Sequence, residues 1–131
     1  MSKLIKRSYS LRLPFPPSLN RLWRTVPRRG VILSKVGRDY RRDVHSALHA
    51  QESELPIVTL TGRLAVRIEG YAPDRRKRDI DNWVKAVLDS LEATGKVFID
   101  DGQFDRLEVI RRETNPPHGF IMVTIVALTD E

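Results

Sequence analysis

With 131 residues, 40% of them hydrophobic and 31% charged, the chain suits one globular domain over residues 1–131 that buries roughly two-thirds of its unfolded surface. It has no cysteine, which excludes disulfides and thiolate metal sites, and no apolar run approaches the ~20 residues of a membrane span. The formal net charge of +6 is carried by arginine-rich clusters at Arg21 to Arg29, Lys35 to Arg42 and Arg75 to Arg78, and favours a polyanionic partner. Met1 to Arg7 is charged but lacks the apolar core of a signal peptide, so a cytoplasmic protein is expected.

In chain order, Tyr9 to Phe15 alternates as a strand that Pro14, Pro16 and Pro17 stop. Ser18 to Gly30, rich in Arg and Pro, reads as a long loop. Ser34 caps a helix running to about Gln51, with Val36, Tyr40, Val44, Ala47 and Leu48 as its apolar stripe. Gly62 to Tyr71 is a second strand, with Leu64, Val66 and Ile68 on one face. Ile80, Val84, Val87, Leu88 and Leu91 recur with helical spacing, and Gly95 closes that second helix. Val97 to Ile99 is a short apolar run ending in a turn at Asp100-Asp101-Gly102. Arg106 to Arg112 and Phe120 to Leu128 read as a strand pair joined by Asn-Pro-Pro-His-Gly. The order β-α-β-α-β-β describes an α+β domain: a small mixed sheet covered by two main helices.

The chemistry concentrates in Asp74-Arg-Arg-Lys-Arg-Asp-Ile-Asp-Asn-Trp-Val-Lys85. Four consecutive cations run into two carboxylates, Asp79 and Asp81, with Lys85 four residues after the second. A surface that only binds a polyanion gains from the cations and loses from the acids, so the acids need their own explanation. Cations for phosphate beside carboxylates for a divalent metal are what phosphodiester cleavage requires. Mg²⁺ takes hard oxygen ligands, and two acids alone make a weak site. Residues spaced i, i+2 share no helix face, so the two acids converge only if Asp79 lies in the incoming extended segment and Asp81 at the helix start. A third acid must come from elsewhere, with Asp100 and Asp101 as the candidates. Lys85 has three readings: it stabilises charge at the phosphorus, orients the attacking water, or pairs with Asp81 as an ordinary i, i+4 salt bridge. The plain alternatives are that Asp81 caps the helix, that Asp79 pairs with a neighbouring arginine, and that Asp89 is a solvated helix charge.

Three segments then resemble one known family. Pro73 to Lys85 resembles the Arg-rich Asp-x-Asp-Asn-x-x-Lys signature of RusA-type endonucleases, the dimeric Holliday-junction resolvases of bacteria and their phages. Phe98-Ile-Asp-Asp-Gly-Gln103 resembles that family's second acidic turn, and Pro14-Phe-Pro-Pro-Ser-Leu-Asn-Arg21 its N-terminal Pro-Pro-Ser-x-Asn segment. The resemblance implies Asp79, Asp81 and Asp101 as metal-binding catalytic acids, favouring Asp101 over Asp100, with Lys85 as a further catalytic residue and Mg²⁺ as cofactor. It implies DNA contacts from Ser18, Asn20, Arg21, Arg75, Arg76, Lys77, Arg78 and Asn82. It also implies a homodimer acting on four-way junction DNA, in a bacterial or phage setting.

Two rival functions remain at this stage: a non-catalytic basic DNA-binding module, and a metal nuclease for flaps or single-stranded nucleic acid. Other signals are weaker. His45 and His49 have the i, i+4 spacing of a zinc pair but no His-Glu-x-x-His context. Trp83, and less so Trp23, are candidates to stack on unpaired bases, with a place in the core or an interface as the alternative for either.

Overall fold

The computed structural model describes residues 6–128. Alternation builds its sheet. β1 (Ser8–Leu13) buries Tyr9, Leu11 and Leu13; β4 (Leu64–Tyr71) buries Leu64, Val66 and Ile68; β6 (Phe120–Ala127) buries Ile121, Val123 and Ile125. With β5 (Phe104–Arg111) these make a four-stranded sheet of order β1-β6-β4-β5. β6 pairs antiparallel with both β1 and β4, whereas β4 and β5 are parallel. A parallel pair needs a crossover, and α3 (Asn82–Thr94) supplies it. The inward side chains of the sheet meet α2 (Lys35–Ala50) and α3 in one continuous core. Two main helices over a small mixed sheet is the architecture the sequence implies.

Local chemistry sets the helix ends. The Ser34 hydroxyl accepts the Gly37 N–H at 3.1 Å and so starts α2. Gly95, at φ 65°, ends α3 in the left-handed conformation that glycine adopts without strain. On α2 the buried Tyr40 donates its hydroxyl to the Pro14 carbonyl at 2.7 Å, tying the proline segment after β1 to the helix. Burial pushes the Tyr40 phenol well above its ordinary pKa, and the charge of Asp43 adds to the effect.

Three expectations are corrected. Ser18 to Gly30 is no long loop: it contains the short helix α1 (Leu19–Leu22) and the strand β2 (Trp23–Val26), which pairs antiparallel with β3 (Gly30–Leu33). β5 and β6 are not paired with each other, because β4 lies between them. The 112–119 segment instead crosses the end of β4, where Asn115 N–H donates to the Ala72 carbonyl at 2.8 Å. Trp83 is no platform for bases. It is 2% exposed and lies against Gly70, where a Cβ would fall 2.3 Å from the indole ring. Trp23 is half-buried on β2, and His45 and His49 are exposed on α2. No helix among the described residues is long and apolar enough to cross a membrane.

Candidate active site

The crossover from β4 to α3 carries the basic run, and its cations differ in what they do. The Arg78 guanidinium, 21% exposed, bonds the Asp74 carboxylate at 2.8 Å and lies 5.4 Å from the Phe15 ring. Asp74 also accepts the Arg76 N–H at 2.9 Å. The Arg78 hydrogen bond, then that backbone N–H, hold the Asp74 carboxyl below its usual pKa. Arg111 on β5 donates to the Arg78 carbonyl at 2.6 Å and reaches over Trp83. Arg78 and Arg111 therefore fix the loop, while Arg75, Arg76 and Lys77 stay exposed.

The same loop delivers the first two acids. Asp79 is exposed in the segment before α3, and its carbonyl accepts the Asn82 N–H at 3.1 Å. Asp81 stands at the N-cap position but makes no side-chain cap, so the capping alternative does not hold. Among the described residues neither carboxylate has a hydrogen bond or ion pair, and the neighbouring arginine prefers Asp74. Two charged groups at the positive end of a helix with nothing to neutralise them are free to take a ligand. Asp79, Asn82 and Lys77 share a cleft with Phe15, Pro17 and Ser18. Arg21 and Arg76 border the adjoining groove, and Asn20 is exposed on α1.

Lys85, one turn further along α3, pairs with Asp89 at 3.2 Å rather than with Asp81. Asp89 is thus partly buried and bridged, not a solvated charge. Lys85 itself is 58% exposed, with its ammonium 6.0 Å from the Trp23 ring.

Asp100 and Asp101 sit beyond the other end of α3. Asp100 caps a 3-10 turn over Asp101–Gln103, accepting the Gly102 N–H at 2.8 Å. The buried Gln103 closes the capping box, taking the N–H groups of Ile99 and Asp100 at 2.9 Å each. Asp101 donates its N–H to Glu92 at 2.8 Å, and single oxygens of Glu92, Asp100 and Asp101 lie within 4.8 Å of one another. Glu92 was not evident from the sequence; its position eleven residues after Asp81 on the same helix face was the available signal. Partial desolvation, then the charge of Glu92, then Asp100 and Asp89, raise the Asp101 carboxyl above its usual pKa.

The crowding of these acids has a measurable sign. A carboxyl raised in the folded state weakens the fold as pH rises from its unfolded value through its folded one. Glu92→Gln removes one repulsive charge while its amide oxygen still accepts the Asp101 N–H. The variant in EDTA is expected to melt above the unsubstituted protein at pH 7, by an amount that vanishes as the pH falls below the Asp101 titration. Thermal melts from pH 3 to 8 would read it, and an unchanged pH 7 melt would mean that the cluster carries no strain.

The α3 helix sets the distance between the acids. Eleven residues separate Asp81 from Glu92, about 16 Å at 1.5 Å per residue. Within one chain, Asp79 and Asp81 stand at one end of α3 and Asp101 at the other.

Residues 14–124 match the family model described as Endodeoxyribonuclease RusA. The chain is 43% identical over 122 residues to a crossover junction endodeoxyribonuclease of Enterobacteria phage HK97, covering 92% of this chain and 95% of that protein. It is 34% identical over 124 residues to a crossover junction endodeoxyribonuclease of Shigella sonnei and 33% to one of Escherichia coli K12, each covering 95% of this chain and 98% of the relative. The chain belongs to the RusA family of endodeoxyribonucleases.

Proposed function

We propose that this chain is a single-domain, cytoplasmic, Mg²⁺-dependent endodeoxyribonuclease that resolves four-way DNA junctions by paired symmetric nicks, working as a homodimer. Its family and the names of its relatives support the substrate. The observation that carries the site is the pair of unpartnered acids, Asp79 and Asp81, beside exposed cations at the start of α3. The donor set fits a hard cation: carboxylates only, with no thiolate in the chain and with His45 and His49 on a different helix.

Asp79, Asp81 and Asp101 would hold the ion. When bound, it supplies Lewis-acid polarisation of the scissile phosphate and a lower pKa for the attacking water. One chain cannot bring all three acids to a point, because α3 separates them. The third carboxylate therefore comes from a second subunit, and a two-fold dimer completes two such sites at once, one for each strand of a symmetric junction. Asp101 is preferred to Asp100, whose carboxylate is committed to capping. Arg75, Arg76 and Lys77 hold the sugar-phosphate backbone without reading sequence. Ser18, Asn20, Arg21 and Asn82 line the approach, and Arg78 contributes by fixing the loop. Lys85, half-exposed and steered by Asp89, presents its ammonium to charge developing at the phosphate.

Cleavage of four-way, flap, duplex and single-stranded DNA, each with Mg²⁺ and with EDTA, tests this reading. Mg²⁺-dependent paired nicks on the four-way substrate are expected to exceed cleavage of the others by at least about tenfold, a transition-state difference of about 1.4 kcal/mol. Preference for flap or single strands would change the substrate. Tight binding with no cleavage of any substrate would leave a DNA-binding module.

A further inference from the structure

The β2–β3 hairpin has no role in the site above, yet its base adjoins it: the Trp23 ring lies 6.0 Å from the Lys85 ammonium. The hairpin is a two-stranded sheet of its own, tied down where the Ser34 N–H donates to the Leu22 carbonyl at 2.8 Å and Leu33 packs on Gly37. Beyond that base Arg24, Thr25 and Pro27 to Val31 are exposed, Val31 to 65%. Residues 23–33 include Arg24, Arg28 and Arg29 and no acid. The next acids along the chain, Asp39 and Asp43, pair instead with Lys35 and Arg42.

The tip is built at a local cost. The Arg29 N–H donates to the Val26 carbonyl at 3.0 Å, closing a turn with Pro27 and Arg28 at its centre. Proline followed by a positive φ, here 68° at Arg28, is the pattern of a type II turn, whose second central residue is ordinarily glycine or asparagine. Arginine in that conformation carries backbone strain that glycine does not. The stability of the turn therefore gives no reason for the arginine; a ligand for its charge does.

We propose that the hairpin is a DNA-binding finger that lies in the major groove of the duplex arm beside the cut, with Arg24, Arg28 and Arg29 on the phosphates lining that groove. The major groove of B-form DNA, about 12 Å wide, admits a two-stranded ribbon, whereas the deep, narrow major groove of A-form RNA does not. The inference rests on the DNA-cleaving site proposed above and lays the substrate across it. With a phosphate at Lys85, beside Trp23, four residues of β2 at about 3.3 Å each carry the tip about 13 Å away. At about 3.4 Å per step this is roughly four base pairs. A single strand has no such groove, so the finger selects substrates with duplex next to the cut.

Arg28→Gly and Arg29→Gln, singly and together, test this by binding in EDTA to a four-way junction and to a linear duplex of the same sequence, over about 50 to 200 mM salt. Each substitution is expected to weaken binding to both DNAs severalfold and to flatten the slope of log K against log salt by about 0.9, one phosphate contact each. Arg28→Gly is also expected to melt no lower than the unsubstituted protein, because glycine relaxes the turn; an arginine with a merely structural role would lower the melt and leave the slope alone. Dimethyl sulfate reads guanine N7 in the major groove. The unsubstituted protein is expected to protect guanines roughly four base pairs from the cut, and the double variant to leave them reactive. Unchanged salt slopes, or protection that survives the double substitution, would overturn the finger, whichever substrate the enzyme cleaves. The expected losses in a protein that cleaves no junction would keep the finger and remove the substrate assigned above.

Discussion

Asp79→Asn is expected to reduce junction cleavage by roughly a hundred- to a thousandfold or more while leaving junction affinity near that of the unsubstituted protein. The substitution keeps the side chain's size and removes only its charge. Because Asp79 is exposed and its side chain has no hydrogen bond or ion pair among the described residues, the fold has little to lose. Removing a negative charge beside Arg75 and Lys77 cannot weaken attraction to phosphate, so binding holds or strengthens slightly. Single-turnover cleavage with Mg²⁺, alongside a binding titration in EDTA, separates the two effects. Lost binding with an unchanged melt would place Asp79 among the DNA contacts and remove it from the chemistry.

The second large effect is structural. Trp83→Ala is expected to cost about 3–5 kcal/mol of stability, the range for truncating a buried aromatic. The indole meets the Phe15 ring edge-on at 5.6 Å, lies under Arg111, and fills the space that Gly70 leaves open. It therefore supports the proline segment and the Arg78 loop together, and cleavage is expected to fall with stability. Urea unfolding measures the cost. A loss below about 1 kcal/mol would mean that the site does not rest on this side chain.

What the sequence revealed divides along physical lines. Long elements with one buried face were legible, because burial imposes a period: α2 falls where its stripe puts it, α3 follows Val84, Val87, Leu88 and Leu91 but starts at Asn82 and leaves Ile80 exposed, and β4 and β6 fall within two residues of expectation. The β2–β3 hairpin was not legible. It pairs mainly with itself, its residues are largely exposed, and nothing forces them to alternate. The β5–β6 pairing was misread because a short Pro- and Gly-containing connection suggests a hairpin, and only the crossover through α3 shows that β4 takes the middle position. At the site, the local features were readable: Asp79 lies in the incoming segment and Asp81 at the helix start, as an i, i+2 pair requires. The partner choices were not. Lys85 lies four residues from both Asp81 and Asp89, and spacing cannot choose between them; the structure pairs it with Asp89. Likewise the position of Trp83 beside the acids allows either base stacking or a place in the core, and its packing against Gly70 puts it in the core.

The separation of the acids along α3 carries the central claim, that each active site draws on two chains. The most direct test uses a heterodimer of one Asp79→Asn subunit and one Asp101→Asn subunit, isolated with two affinity tags and assayed on a four-way junction with Mg²⁺. If the sites are shared, both substitutions fall in one site and the other retains all its acids, so the heterodimer nicks a single strand while each mutant homodimer is inactive. A heterodimer as inactive as the two homodimers would mean that each chain uses its own Asp79 and Asp101, and the shared site would be wrong.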